Sequence, residues 1–226
     1  KWVTILGTQA QPYLILYFVF PDVSQQFLSQ PMKYIKHVLA YAGEHSLLTV
    51  LRDSLGLITD LDVSTYITSA FNSLSVQFNL AGRGVNNLDL VMSVFFQYMA
   101  TLQSKGVDLD LYTSIANVTR LAWDWQESSK PSDTVSSLAK DLILYPPGLL
   151  LTGGSLIENP NPSLIAKILK GFTPENMNAA FVDPRAAEYF TDANVSSLPY
   201  FGVKYTVEDL SERFPEAHHQ WNLWLF

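Results

Sequence analysis

Cysteine is absent from all 226 residues. That removes a disulfide framework, a thiolate metal site and a cysteine nucleophile together, and it suits a cytoplasmic or other reducing compartment. Basic residues are scarce: 14 Lys and Arg stand against 21 Asp and Glu, a formal net charge of −7. Nucleic-acid binding needs clustered Lys and Arg to neutralise phosphate, so the balance argues against that partner. Long apolar runs are missing as well. The longest, Tyr13 to Phe20, falls far short of the ~20 residues of a membrane span. With 48% hydrophobic and only 15% charged residues the chain is not a disordered tail. It is long enough to bury a sizeable core, and no linker or internal repeat divides residues 1–226.

The motifs of the common catalytic centres are missing too. There is no Gly-x-Ser-x-Gly elbow and no phosphate-binding loop: Gly82-Arg-Gly84 reads as a turn, and Thr152-Gly-Gly-Ser155 lacks the lysine. Of the four histidines, His37 and His45 lie roughly two helical turns apart, and His218 and His219 are adjacent near the end. A helical zinc site needs ligands one turn apart, as in His-x-x-Glu-His, and neither spacing provides that. Asp60 and Asp62 share one face of a strand and read as charges that keep an edge from aggregating; a hydrolase built on them would need a third group to use the proton. Two sequons, at Asn117 and Asn194, are short enough to arise by chance.

What is present is periodicity. Tyr13 to Phe20 is β-branched and aromatic, and reads as a strand buried on both faces. A helical stretch runs from Met32 to about Ser54, interrupted near Gly43, and Leu57 to Val63 follows as a second strand. Leu74 to Leu80 alternates strictly and predicts a half-buried third strand. Two long helices follow. The first carries Leu88, Val91, Phe95 and Met99 and ends at Lys105-Gly106; the second carries Leu111, Ile115, Val118, Leu121 and Trp125 inward. A further amphipathic stretch runs from Pro131 to Leu144, Asn161-Pro162 starts a short helix, and Met177 to Val182 is a fourth strand. The result is an α+β chain, a single two-layer domain with a mostly antiparallel sheet packed against helices. Residues 184–226 read as an irregular, extended tail leading toward a next domain, and a chain that opens at Lys1 reads as a piece of something longer.

The order of phrases adds to this. Phe20-Pro-Asp22 closes the first strand; Gln30-Pro31, Tyr34-Ile-Lys-His37-Val-Leu, Gly43 and Ser46-Leu-Leu48 follow. Phe96-Gln-Tyr98, Tyr145-Pro146, Phe172-Thr-Pro-Glu-Asn176 and Tyr200-Phe-Gly202-Val-Lys-Tyr205 come later in the same order. Together they resemble the second domain of insulinase-like zinc peptidases, the pitrilysin or inverted-zincin family.

The resemblance implies one of four homologous α+β domains that close around a peptide, of which only the first holds zinc. The place of His-x-x-Glu-His reads Tyr34 to Val38, with Tyr34 and Val38 at the two ligand positions and no general-base glutamate. No metal or other cofactor is thus expected in this chain, and zinc is expected in a catalytic domain outside it, in cis or in trans. The chain is implied to be an inactive piece of a zinc metalloendopeptidase. In the family an edge strand after the Ser-Leu-Leu helix pins the N-terminal end of the peptide substrate by backbone pairing. Carried over, that strand is Leu57 to Val63, with Leu61 and Val63 at its centre, Gly43 in the preceding turn, and Asp60 and Asp62 placed to favour a positive N-terminus. Val63, in Asp62-Val63-Ser64, stands where the family keeps small residues and is expected to crowd an approaching backbone. The alternative is a pseudo-peptidase scaffold or protein-interaction subunit without proteolytic role.

Overall fold

In the strand Tyr13–Pro21, Leu14, Leu16, Phe18 and Phe20 are buried while Tyr17 and Val19 are 41% and 44% exposed. The strand is therefore one-sided, not buried on both faces, and the reason is the layer arrangement. In the computed structural model, which describes residues 1–68, 70–190 and 195–225, the buried residues of the three longest strands fall on the same face of one sheet. The strands are β1 (Trp2–Leu6), β2 (Tyr13–Pro21), β3 (Ile58–Ile67), β4 (Phe71–Leu80), β5 (Met177–Asp183), β6 (Ser196–Ser197) and β7 (Lys204–Glu208). They lie in the order β3-β4-β2-β5-β1-β7-β6, antiparallel throughout except for the β1–β5 pair.

The helices are α1 (Pro31–Leu39), α2 (Leu47–Thr49), α3 (Gly82–Val85), α4 (Leu88–Lys105), α5 (Leu109–Asp124), α6 (Pro131–Leu144), α7 (Pro162–Leu169), α8 (Leu210–Arg213) and α9 (Pro215–Leu225). α4 is the centre of the layer. Val91, Met92, Phe95, Phe96 and Met99 recur at helical spacing and are all fully buried. Phe95 stacks on Phe18 of β2, ring centroids 5.7 Å apart, and Phe18 meets Phe172 at 4.8 Å. Burying such rings contributes a large share of the fold's stability. The expected long helix from Met32 is broken after Leu39, resumes at α2, and finishes as a π-helical turn over Val50–Ser54. Gly56, at φ 62°, then swings the chain into β3.

Two expectations are corrected. The region after Pro184 is not an irregular tail: β7 pairs antiparallel with β1, and Trp221 of α9 is wholly buried against Phe96 of α4. Trp125 is not core. It is 84% exposed because α5 ends in contact with solvent, its buried residues being Tyr112 and Ile115 near its start. Asn117 is exposed on α5, and Asn194 of the second sequon lies outside the described residues.

On the far side of the sheet the odd-numbered residues of β2 are half-buried or exposed. There Val207, Val3, Ala180 and Ile15 form a cross-strand row, continued by Gln77 of β4 and Asp62 of β3. The open face is thus apolar across β7, β1, β5 and β2, and polar across β4 and β3.

Candidate functional site

β3 lies at one end of the sheet, and among the described residues it pairs only with β4. Its alternation is interrupted once, between Ile58 and Asp60, by a bulge at Thr59 whose hydroxyl donates to the carbonyl of Asn79 (3.2 Å). Beyond the bulge Leu61 and Val63 are 9% and 1% exposed and face the helices, while Asp60, Asp62 and Ser64 face the open side. Val63 therefore does not obstruct the edge; its side chain is in the core.

The turn joining β3 to β4 decides which peptide groups are free. Thr68 N–H donates to the carbonyl of Phe71 (3.0 Å), which makes Thr68 and Phe71 a hydrogen-bonded pair. In an antiparallel ladder such pairs alternate with non-bonded ones. Along the register Tyr66↔Ser73, Ser64↔Ser75 and Asp62↔Gln77, the N–H and C=O groups bond to β4. Those of Leu61, Val63 and Thr65 consequently point outward, away from the sheet. The edge offers a row of free donors and acceptors beside two carboxylates on the open face, with Ser64 Oγ donating to Asp62 (3.0 Å).

The start of this strand is held by a close backbone approach. Leu57, buried at 1% exposure, donates its N–H to Leu51 (2.8 Å) and accepts from Ala81 (2.9 Å). Gly84 packs so tightly on the Leu57 carbonyl that a Cβ there would overlap the oxygen. Gly43 lies in the loop before α2, where its carbonyl accepts from Ser46 N–H (3.2 Å) and the Thr49 hydroxyl (3.1 Å), and the Tyr41 ring covers it. Its carbonyl thereby holds the turn that presents Ser46, the N-cap of α2, to the helix. Motifs alone do not single out Gly84 or Thr65; only register and packing identify them.

Where zinc ligands would stand, Tyr34 is buried and its hydroxyl oxygen accepts the N–H of Asp108 (3.0 Å), the N-cap of α5. Its ring meets Tyr112 edge-on at 5.4 Å, and the Tyr112 hydroxyl donates to the carbonyl of Ser29. Tyr98 donates to the carbonyl of Val38 (3.2 Å). A phenol engaged with backbone and a valine do not make a donor set for zinc. His37 is exposed on α1, and His45 stands in solvent beside Glu44 (3.5 Å). Among the described residues no three His, Asp or Glu side chains cluster as a metal site would require.

Burial pushes the phenols of Tyr34, Tyr98 and Tyr112 above their ordinary value of 10.0; for Tyr34 the Asp108 N–H partly opposes this. The folded chain holds these protons to higher pH than the unfolded chain does. Their contribution to stability is therefore complete below pH 10 and lost as pH rises past it. Lys33 runs the other way, because burial lowers its pKa and its charge costs stability until it is lost. We expect the urea midpoint to fall above pH ~10 in step with phenolate absorbance, and Tyr98→Phe to reduce the fall. A midpoint flat through that range would contradict the raised phenols of Tyr34, Tyr98 and Tyr112.

Comparison with known proteins bears on this arrangement. The family profile described as "Peptidase M16 inactive domain" matches residues 3–117, and that described as "Middle or third domain of peptidase_M16" matches residues 123–222. Nardilysin of Rattus norvegicus is 24% identical over 207 residues, covering 90% of this chain and 18% of that protein. Insulin-degrading enzyme of Drosophila melanogaster is 23% identical over 195 residues, 86% of this chain and 19% of that one. The chain thus spans about a fifth of the length of these relatives. The crystal structure of pitrilysin superimposes with a TM-score of 0.86 at 18% identity, covering 99% of this chain and 23% of that one, so the fold is shared.

Proposed function

Since the chain belongs to the peptidase M16 family, as a non-catalytic insulinase-like domain, we propose that it walls a substrate chamber and anchors the N-terminal end of a peptide by strand addition at β3. The observation that carries this reading is the row of outward peptide groups on Leu61, Val63 and Thr65, whose side chains do not stand in the way. Backbone pairing of this kind gives affinity without demanding sequence. Asp60 and Asp62, exposed on the open face beside that row, favour a positively charged peptide end. Hydrolysis belongs to a zinc-bearing catalytic domain outside this chain, because the donor set at Tyr34 and Val38 does not fit the metal. Absence of cysteine agrees with a reducing compartment. No helix among the described residues is long and apolar enough to cross a membrane. The scaffold reading is favoured by one feature, the uncovered apolar row of Val207, Val3, Ala180 and Ile15.

Thr65→Pro tests the anchor. Its N–H points outward, so proline removes a donor to the incoming strand without breaking the ladder to β4. Calorimetric titration with an extended peptide is expected to show about tenfold weaker binding, and Asp60→Asn with Asp62→Asn about threefold weaker binding at low salt, only when the peptide N-terminus is free. Unchanged affinity in Thr65→Pro removes the strand-addition role and leaves the scaffold.

A further inference from the structure

α6 is a helix of 14 residues that buries none of its side chains. Helices of that length are marginal in water without an apolar face packed on something. Pro131, Thr134, Val135, Leu138 and Asp141 share one side of it at helical spacing, and that side forms one wall of an open groove of about 850 Å³. The opposite wall is the end of α5 and the turn after it. The groove combines two surfaces. Trp123, Leu138 and Leu151 supply apolar area, and Asp124, Glu127 and Asp141 supply carboxylates. No Lys or Arg lines it among the described residues, and none of the ion pairs among those residues involves these three acids. Lys130 and Lys140 lie between lining residues in sequence but form no ion pair with either wall.

We propose that this groove is a docking site for a basic amphipathic helix of a partner protein, its apolar side against Trp123 and Leu151 and its Lys or Arg residues facing the three carboxylates. The dimensions agree. Pro131 to Asp141 spans about 15 Å, the length of roughly three helical turns, and a groove that presents apolar side chains beside charges of one sign suits a helix with an apolar and an oppositely charged side. The charge sign selects the occupant: anionic lipid and nucleic acid are repelled, as is an acidic helix. The site stands apart from β3 and does not rest on the peptide-anchoring role.

A labelled helical peptide of Leu and Lys, about three turns of apolar face, serves as the probe, with a Leu and Glu peptide of the same pattern as its counterpart. Fluorescence anisotropy on the 226-residue chain is expected to show saturable binding of the Lys peptide that weakens with salt, and little binding of the Glu peptide. The triple change Asp124→Asn, Glu127→Gln, Asp141→Asn is expected to reduce affinity about tenfold, and Leu151→Ser to reduce it further. Thr65→Pro, on the distant edge, leaves it unchanged. Equal binding of both peptides, no binding of either, or an unchanged affinity in the triple variant overturns the proposal. So does closure of the groove by self-association of the chain, read from sedimentation. Circular dichroism of each variant separates lost binding from lost fold.

Discussion

Trp221→Ala is expected to destabilise the chain by about 3–5 kcal/mol, the range for removing a fully buried aromatic side chain. Trp221 is 0% exposed; its ring lies 5.3 Å from Phe96 and 6.2 Å from Phe214, and its Nε1 donates to Ser93 Oγ at 2.8 Å. Removing the indole opens a cavity between α9 and α4 and orphans the serine hydroxyl. Trp221 is the one fully buried residue of α9, and the partly buried Ala217, Trp224 and Leu225 pack on the core around it, so this side chain is the centre of the helix's attachment. Trp125→Ala is the matched control: that tryptophan is 84% exposed, and a change within about 0.5 kcal/mol is expected. Urea unfolding of both variants decides the matter. If Trp221→Ala unfolds at the parent midpoint, the last helix does not belong to the core.

That pair also marks the boundary of what sequence alone makes legible. β4 and α4 are legible because each carries a strong period over many residues: Leu74, Val76, Phe78 and Leu80 all face one way, as do Val91, Phe95 and Met99; β2 is legible as a strand but not in its facing, since its run is apolar throughout. β1 and β7 are not. Each has five residues, and the inward face carries Thr4 on one and Thr206 on the other, which breaks the apolar signal. Their pairing joins residues some two hundred positions apart, and no local pattern reports such a contact. α9 is hard to read because its inward stripe of Ala217, Trp221, Trp224 and Leu225 is short and set among His218, His219 and Gln220. On α5 the stripe of Val118, Leu121 and Trp125 is present in sequence but meets no core, so periodicity is right about the helix and wrong about burial.

At the edge strand the alternation places Leu61 and Val63 inward and Asp60 and Asp62 outward without help from the fold. It does not say which peptide groups are free, since that depends on the Thr68–Phe71 pair and on the bulge at Thr59. Nor does it distinguish the roles of the glycines. Gly43, singled out by its phrase, lies in the turn before the α2 cap Ser46, whereas Gly84, which reads in sequence as a turn residue, governs the position of the strand.

Gly84→Ala is accordingly expected to cost about 2–4 kcal/mol and to weaken the edge selectively. The added methyl would overlap the Leu57 carbonyl oxygen, a backbone atom that cannot rotate aside, with Leu80 Cδ2 at 3.2 Å closing the other direction. Leu57 is fixed from both sides by its bonds to Leu51 and Ala81, so relief requires moving the residue that leads into Ile58 and the bulge. The strain is thereby delivered to β3. Hydrogen exchange at Asp62, Ser64 and Tyr66, whose N–H groups bond to β4, should accelerate more than exchange in α4, and affinity for an extended peptide should fall with it. Gly82→Ala provides the comparison within the same short helix: nothing lies within 4 Å of where its methyl would stand, and alanine there is expected to be neutral or to stabilise by up to about 1 kcal/mol. If the two substitutions behave alike in urea, the contact between α3 and Leu57 does not set the edge, and the anchoring strand must be positioned by its pairing with β4 alone.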